Sequence, residues 1–243
     1  MKKEIQQWWS PVLDKDMEIA VYGYYGYALL LFPTSSSDYS EFERSSLIDS
    51  IADMIDSGTV KVFAINSVNK ESWLNKNLLP EDKASRHQQY NHYIIDEVVP
   101  YINESCGGNI PIITSGASFG AFHAANTFFR RPDLFAGVIG MSGFYDLKIY
   151  AEKYFDDNVY FNSPVDYLAN LTDESILSQM RNKNIIIASG QGENEDPEAS
   201  KKLSHILNTK GIRNWLDIWG PDMVHDWSTW CRMLPYFLKN INV

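Results

Sequence analysis

Six short apolar runs, spaced along the chain with helical patterns between them, constrain what this 243-residue sequence can fold into. They are ALLLFP at 28–33, VKVFAIN at 60–66, IPIITSG at 110–116, AGVIGMSG at 136–143, NIIIASG at 184–190 and NWLDIWG at 214–220. Each is nearly continuous in apolar residues rather than alternating, which is the pattern of strands buried on both faces of a parallel sheet. Two earlier segments, QQWWSPV at 6–12 and EIAVYGY at 18–24, alternate more and flank Asp14-Lys15-Asp16. They suit an antiparallel hairpin that opens the sheet.

Helical patterns fill the gaps. Residues 40–57 place Phe42, Leu47, Ile48, Ile51, Met54 and Ile55 on one face, and 82–104 do the same with Tyr90, Ile94, Ile95, Val98 and Tyr101. Residues 197–210 open on Asp196-Pro197, a capping side chain before a first-turn proline, and close on Lys210-Gly211. Residues 226–240 form a last helix. The expected fold class is therefore α/β, with an eight-stranded, mostly parallel, doubly wound sheet and helices on both faces. No repeat, low-complexity tract or linker divides the chain, so 1–243 reads as one domain. The stretch 144–180, aromatic, acidic and interrupted by Pro164, departs from the rhythm and reads as a roof over the ligand edge of the sheet.

One motif sits where such a sheet does chemistry. Residues 114–124 read TSGASFGAFHA, so Ser118 lies in Gly116-Ala117-Ser118-Phe119-Gly120. A predicted strand precedes it and a helical pattern follows, which is the setting of a nucleophile elbow. The glycines remove side chains where strand and helix crowd, and Ala121, Ala124 and Ala125 let the helix approach the sheet. The helix N-terminus favours negative charge at the serine, and the Phe119 N–H becomes a first oxyanion donor.

A serine hydroxyl needs a base. Of five histidines, His225 follows the eighth strand and precedes the last helix, on the same sheet edge as Ser118. His87 and His92 read as surface or partly buried contacts, His123 points away from the hydroxyl, and His205 lies on a solvated face. The acid should leave the seventh strand, where the chain reads GQGENEDP; Glu193 and Glu195 both qualify, Asp196 is committed to its helix, and Asp146 is an outside candidate.

A net charge of -10 offers no basic field for nucleic acid or an anionic membrane. No apolar run reaches the ~18 residues of a membrane span and no leader is readable, so a cytoplasmic protein with two free thiols, Cys106 and Cys231, is expected. No His/Cys cluster or phosphate-binding glycine loop is present, so neither metal nor cofactor is expected. Oligomeric state is not readable.

These segments together resemble the α/β-hydrolases over nearly the whole length. Within that fold the chain is similar to the esterase group that includes S-formylglutathione hydrolases and feruloyl esterases, on GASFGAFHA, RHQQYNHYIIDEVVPYI, YFNSPVDYL and HDWSTW. LLLFPTSSSDYSEFE, GQGENEDPEASKKL and KGIRNWLDIWGPDMVHDW resemble a small bacterial esterase-like subgroup. That resemblance implies a glutamate in a G-x-G-x-aromatic-Glu segment, which maps to Glu195 ahead of Glu193, with Asn194 in place of the aromatic. Where many relatives have His-Gly after the third strand, this chain has FPTSSSD, which puts the second oxyanion donor at Thr34 or Ser35.

The expected activity is a serine carboxylesterase acting on a small-molecule ester, with Ser118 the nucleophile, His225 the base and Glu195 the acid. The same residues would serve an acyltransferase or thioesterase, and a non-catalytic binding protein on this fold is the alternative from another class. The rings of Tyr145, Tyr150, Tyr154, Phe155, Tyr160 and Phe161 could wall an aromatic or sugar-ester pocket or belong to the core.

Overall fold

A computed structural model describes residues 1–243. The eight expected strands all form: β1 Lys3–Ser10, β2 Lys15–Tyr22, β3 Tyr27–Phe32, β4 Val60–Ile65, β5 Ile112–Ala117, β6 Gly137–Met141, β7 Asn184–Ser189 and β8 Trp215–Ile218. They make one sheet in the order β1-β2-β4-β3-β5-β6-β7-β8. The hairpin β1–β2 is antiparallel, β2 joins β4 antiparallel, and β3 to β8 pair in parallel. The apolar runs predict this, because β3, β4, β5 and β6 are buried almost throughout. The first strand begins earlier than the sequence pattern suggests, and β8 is half-buried along its length, because it has a neighbour on one side only.

The helices are α1 Glu41–Arg44, α2 Leu47–Ser50, α3 Ala52–Asp56, α4 Pro80–Tyr93, α5 Val99–Ser105, α6 Phe119–Arg130, α7 Asp157–Tyr160, α8 Pro164–Asn170, α9 Glu174–Met180, α10 Pro197–Thr209 and α11 Trp227–Lys239. None is long and apolar enough to cross a membrane. The single helix expected over 40–57 is three short ones. Ser46 takes a left-handed φ of 62° and Ile51 a φ of -120°, while the hydroxyls of Ser45 and Ser50 bond back to main-chain carbonyls, offering the backbone alternatives to a continuous helix. The apolar face still works, since Phe42, Leu47, Ile48, Ile51 and Ile55 are buried.

The helix expected over 82–104 starts at Pro80 and passes through a π-turn at Ile94–Val98 into α5. Pro100 has no N–H to give and its ring crowds the carbonyl four residues back, which the wider π-turn accommodates.

Two apolar layers flank the sheet. On one face Phe42, Ile51, Trp230, Leu234 and Phe237 pack against β3, β4 and β6. On the other, Tyr90, Ile94, Val98, Phe128 and Leu203 cover the same strands from behind. The strand order reverses at the β3/β5 boundary: β4 lies to one side of β3 and β5 to the other, all three parallel. In open α/β sheets the ligand crevice lies outside the carboxyl ends of strands at such a point. Thr34 leaves β3 and Ser118 leaves β5 at that edge.

Candidate active site

Between β5 and α6 the chain turns so sharply that Ser118 adopts φ 54° and ψ -119°. A non-glycine residue there is strained by roughly 1–3 kcal/mol and persists only if its surroundings enforce it. They do. The Ser118 N–H donates to the Met141 carbonyl at 2.9 Å, and its own carbonyl accepts from Ala121 and Phe122. A Cβ on Gly120 would lie 2.1 Å from the Phe32 carbonyl oxygen, and one on Gly116 would lie 2.4 Å from the Gly120 carbonyl carbon. Only glycine fits both positions. Ser118 itself is half-exposed at the start of α6.

Phe119 follows, buried, with its N–H among the first-turn donors that have no carbonyl partner inside a helix. Its ring meets Phe144 at 5.0 Å and Tyr150 at 5.2 Å, so the segment after β6 packs onto the elbow. Tyr145 is buried, Tyr150, Tyr154 and Tyr160 are half-buried, and Phe155 and Phe161 are exposed.

Across the sheet edge, the loop after β8 carries His225, its side chain 25% exposed. The main chain holds it, with its N–H donating to the Glu193 carbonyl at 3.1 Å. The ring stands edge-on to Trp230 at 5.1 Å and 85°. Asp226 caps α11 through the Ser228 N–H, which fixes the loop at its other end.

The two candidate acids after β7 part here. Glu193 is exposed and contributes only its backbone carbonyl. Asn194 turns the chain with φ 62°, and Glu195 then points inward with a fully buried side chain. Its Oε2 lies 3.7 Å from His225 Nδ1 and accepts from the Ser189 hydroxyl at 2.9 Å; its Oε1 accepts from the Ser142 hydroxyl at 2.6 Å. Burial by itself pushes the Glu195 carboxyl up, but His225, Ser142 and Ser189 outweigh it and hold the group below its ordinary value. Asp196 caps α10 as its sequence indicates. Asp146 caps a 3₁₀ turn at Leu147–Ile149 and pairs with Lys202 at 3.1 Å, which sets it apart from His225.

The turn after β3 narrows the oxyanion candidates. The Thr34 N–H donates to Glu41 Oε2 at 2.8 Å and its hydroxyl bonds to Glu41 Oε1. Thr34 is therefore occupied, leaving Ser35 as the candidate of that pair. Burial raises the Glu41 carboxyl despite the Thr34 and Ser37 bonds.

Sequence reasoning missed three residues of this site: Ser142, Ser189 and Trp230. Ser142 and Ser189 occupy equivalent strand exits, and each follows a continuous apolar run, which was the one signal available. It also misplaced His87, which is wholly buried rather than near the surface. His123 is buried, its ring 5.2 Å from that of Phe119, and bonds Asn69 at 2.7 Å; His92 is exposed beside Asp96, and His205 is exposed, as expected.

A family model described as "Putative esterase" matches residues 30–236. No curated protein sequence matches the chain. Among solved structures, a ferulic acid esterase superposes with a TM-score of 0.75 at 19% identity, covering 99% of this chain and 98% of that one. An S-formylglutathione hydrolase from Agrobacterium tumefaciens gives 0.74 at 11% identity over 99% and 95%. The fluorophosphonate-binding serine hydrolase F of Staphylococcus aureus gives 0.69 at 15% identity over 98% of each chain.

Proposed function

This chain belongs to the esterase family, a serine carboxylesterase of the α/β-hydrolase fold, and we propose that its reaction runs through Ser118, His225 and Glu195. One observation carries the assignment: a fully buried carboxylate, Glu195, lies 3.7 Å from Nδ1 of the one histidine that leaves β8, on the sheet edge where Ser118 is forced into its strained turn. The Nδ1–carboxylate distance is longer than a hydrogen bond, and such contacts commonly tighten when substrate arrives.

In this reading His225 Nε2 takes the Ser118 hydroxyl proton as Oγ attacks the ester carbonyl carbon. The N–H groups of Phe119 and Ser35 receive the oxyanion. The C–O bond to the alcohol then breaks, and the departing oxygen collects the proton from His225. Water repeats the sequence on the acyl-enzyme, returning a carboxylic acid and free Ser118. Glu195 keeps its charge throughout, orienting His225 and favouring the imidazolium. The substrate is a small-molecule ester, reached in the cytoplasm, where Cys106 and Cys231 remain free thiols.

Labelling with a fluorophosphonate, followed by peptide mapping, tests this directly. Ser118 should carry the label, and Ser118→Ala should lose both labelling and turnover of p-nitrophenyl acetate with an unchanged circular dichroism spectrum. Turnover that survives the alanine would remove Ser118 from the mechanism.

A further inference from the structure

At the opposite end of α6 from Ser118, about 18 Å along the helix at 1.5 Å per residue, lies an arginine whose hydrogen-bond partners carry no charge. The half-buried Arg130 donates from Nη1 to Gln88 Oε1 and to Asn162 Oδ1, both at 2.8 Å. Both acceptors are neutral amides. The same Asn162 oxygen also accepts from Asn91 at 2.6 Å and Asn126 at 2.8 Å, so the guanidinium caps a network that holds no carboxylate. Its neighbour Arg131 differs, being bound by both nitrogens of its fork to Asp133.

A guanidinium taken partly out of water without an anion is costly, and natural structures pair such groups. Here burial presses the Arg130 pKa down, and the Tyr167 phenol is the one group opposing that. Nε and Nη2 make no hydrogen bond to the protein and are not among its buried unpartnered atoms. They are donors left open to a visitor.

Arg130 lines two hollows, a polar one shared with Gln88, Asp96 and Arg131, and an aromatic one. A groove of about 380 Å³ runs from Arg130 between the walls of Phe129, Tyr160, Phe161, Tyr167, Leu171 and Ile176. Phe161 is 50% exposed there, with Tyr160 edge-on to it at 4.9 Å. Asp173 also borders the groove, its Oδ1 accepting from the Ser175 N–H and hydroxyl at the start of α9, so Arg130 is the one cation of the lining and Asp173 its one anion. One fork-shaped cation at the rim of an aromatic groove of ligand size matches one chemistry: a planar acid with an apolar body. A polyphosphate would need more than one cation, and a neutral ring would leave the guanidinium as it is.

We propose that this groove is a second ligand site, separate from the ester-cleaving edge, that binds a small aromatic carboxylate with its acid group on Arg130 and its ring against Phe161 and Tyr160. The assignment stands on Arg130 and its groove alone and does not depend on which residues carry catalysis.

Isothermal titration of the full chain with sodium benzoate, and with benzyl alcohol as the uncharged counterpart, tests it. Benzoate should bind at least roughly tenfold tighter than benzyl alcohol. Arg130→Gln should erase that preference, and Phe161→Asp, which removes the exposed ring and adds a second carboxylate beside that of Asp173, should abolish benzoate binding without moving the thermal midpoint. Wild-type protein that binds benzoate no better than the alcohol would overturn the proposal. So would benzoate affinity unchanged in Phe161→Asp, a variant that decides the matter even where Arg130→Gln fails to fold.

Discussion

The indole N–H of Trp230 donates to the hydroxyl oxygen of Ser142 across 3.0 Å. That hydroxyl in turn donates to Glu195 Oε1 at 2.6 Å, so α11, the exit of β6 and the loop after β7 meet at one oxygen. The same indole meets the His225 ring at 5.1 Å, the two planes nearly perpendicular. One side chain thus supports both partners of the histidine–carboxylate contact, from an element that carries neither.

Ser142→Ala breaks this junction, leaving the buried indole N–H without a partner at a cost of about 1–3 kcal/mol. In the proposed mechanism kcat should fall about tenfold with KM nearly unchanged. The acid side of the stability profile should also respond. Glu195 is held below its ordinary value in the folded state, so its contribution is fully present at neutral pH and is lost as pH drops below the ordinary carboxylate value of 4.5. Ser142→Ala should shrink the stability difference between neutral and acid pH in urea titrations. An unaltered difference would mean that Ser142 does not bear on the carboxylate.

Glu195→Gln and Glu193→Gln separate the two candidate acids. The first should lower kcat by roughly 10³–10⁴-fold, and the second should leave it within about twofold, because Glu193 acts on His225 through its backbone carbonyl only. Steady-state kinetics on a p-nitrophenyl ester decides, and equal losses in both variants would contradict the assignment.

Ser118→Gly should stabilise the fold while removing turnover. Relief of the turn at φ 54° is worth about 1 kcal/mol, which in a chain of this size raises Tm by about 2–4 °C. A calorimetric Tm at or below that of the parent would show that the elbow stores no strain.

His87→Phe should also stabilise. Both ring nitrogens of His87 are buried without a protein partner, among Trp73, Phe122 and His123. Burial first, then His123 and Arg130, hold its pKa well below 6.5. The unfolded chain therefore takes up a proton that the folded one refuses, and stability is lost as pH falls below 6.5. Phenylalanine removes that loss, so the variant should gain about 2 kcal/mol over the parent at pH 5 in denaturant titrations, and less at pH 8. A variant weaker than the parent at pH 5 would show that the imidazole makes contacts a phenyl ring cannot replace.

Much of this was legible in the chain because it is local. Continuous apolar runs announce buried strands whatever their neighbours are, and Asp196-Pro197 or Gly116-to-Gly120 carry their backbone geometry within a few residues. The break of 40–57 at Ser46 and Ile51 was less legible, since an apolar face survives interruption and its spacing does not report φ. Thr34 was equally ambiguous, because its occupation depends on Glu41, seven residues on and turned inward by α1.

By itself the sequence determined the eight strands, their mostly parallel pairing, and the serine and histidine that leave β5 and β8, because periodicity and turn chemistry act over a few residues. The residues of the loop left Glu193 and Glu195 open and the family resemblance put Glu195 first; the tertiary structure is what sets Glu195 against His225. Glu193 and Glu195 stand two residues apart in the same acidic loop, and only the left-handed Asn194 and the hydroxyls of Ser142 and Ser189, brought in from two different strands, make a buried charge tolerable at one and not the other.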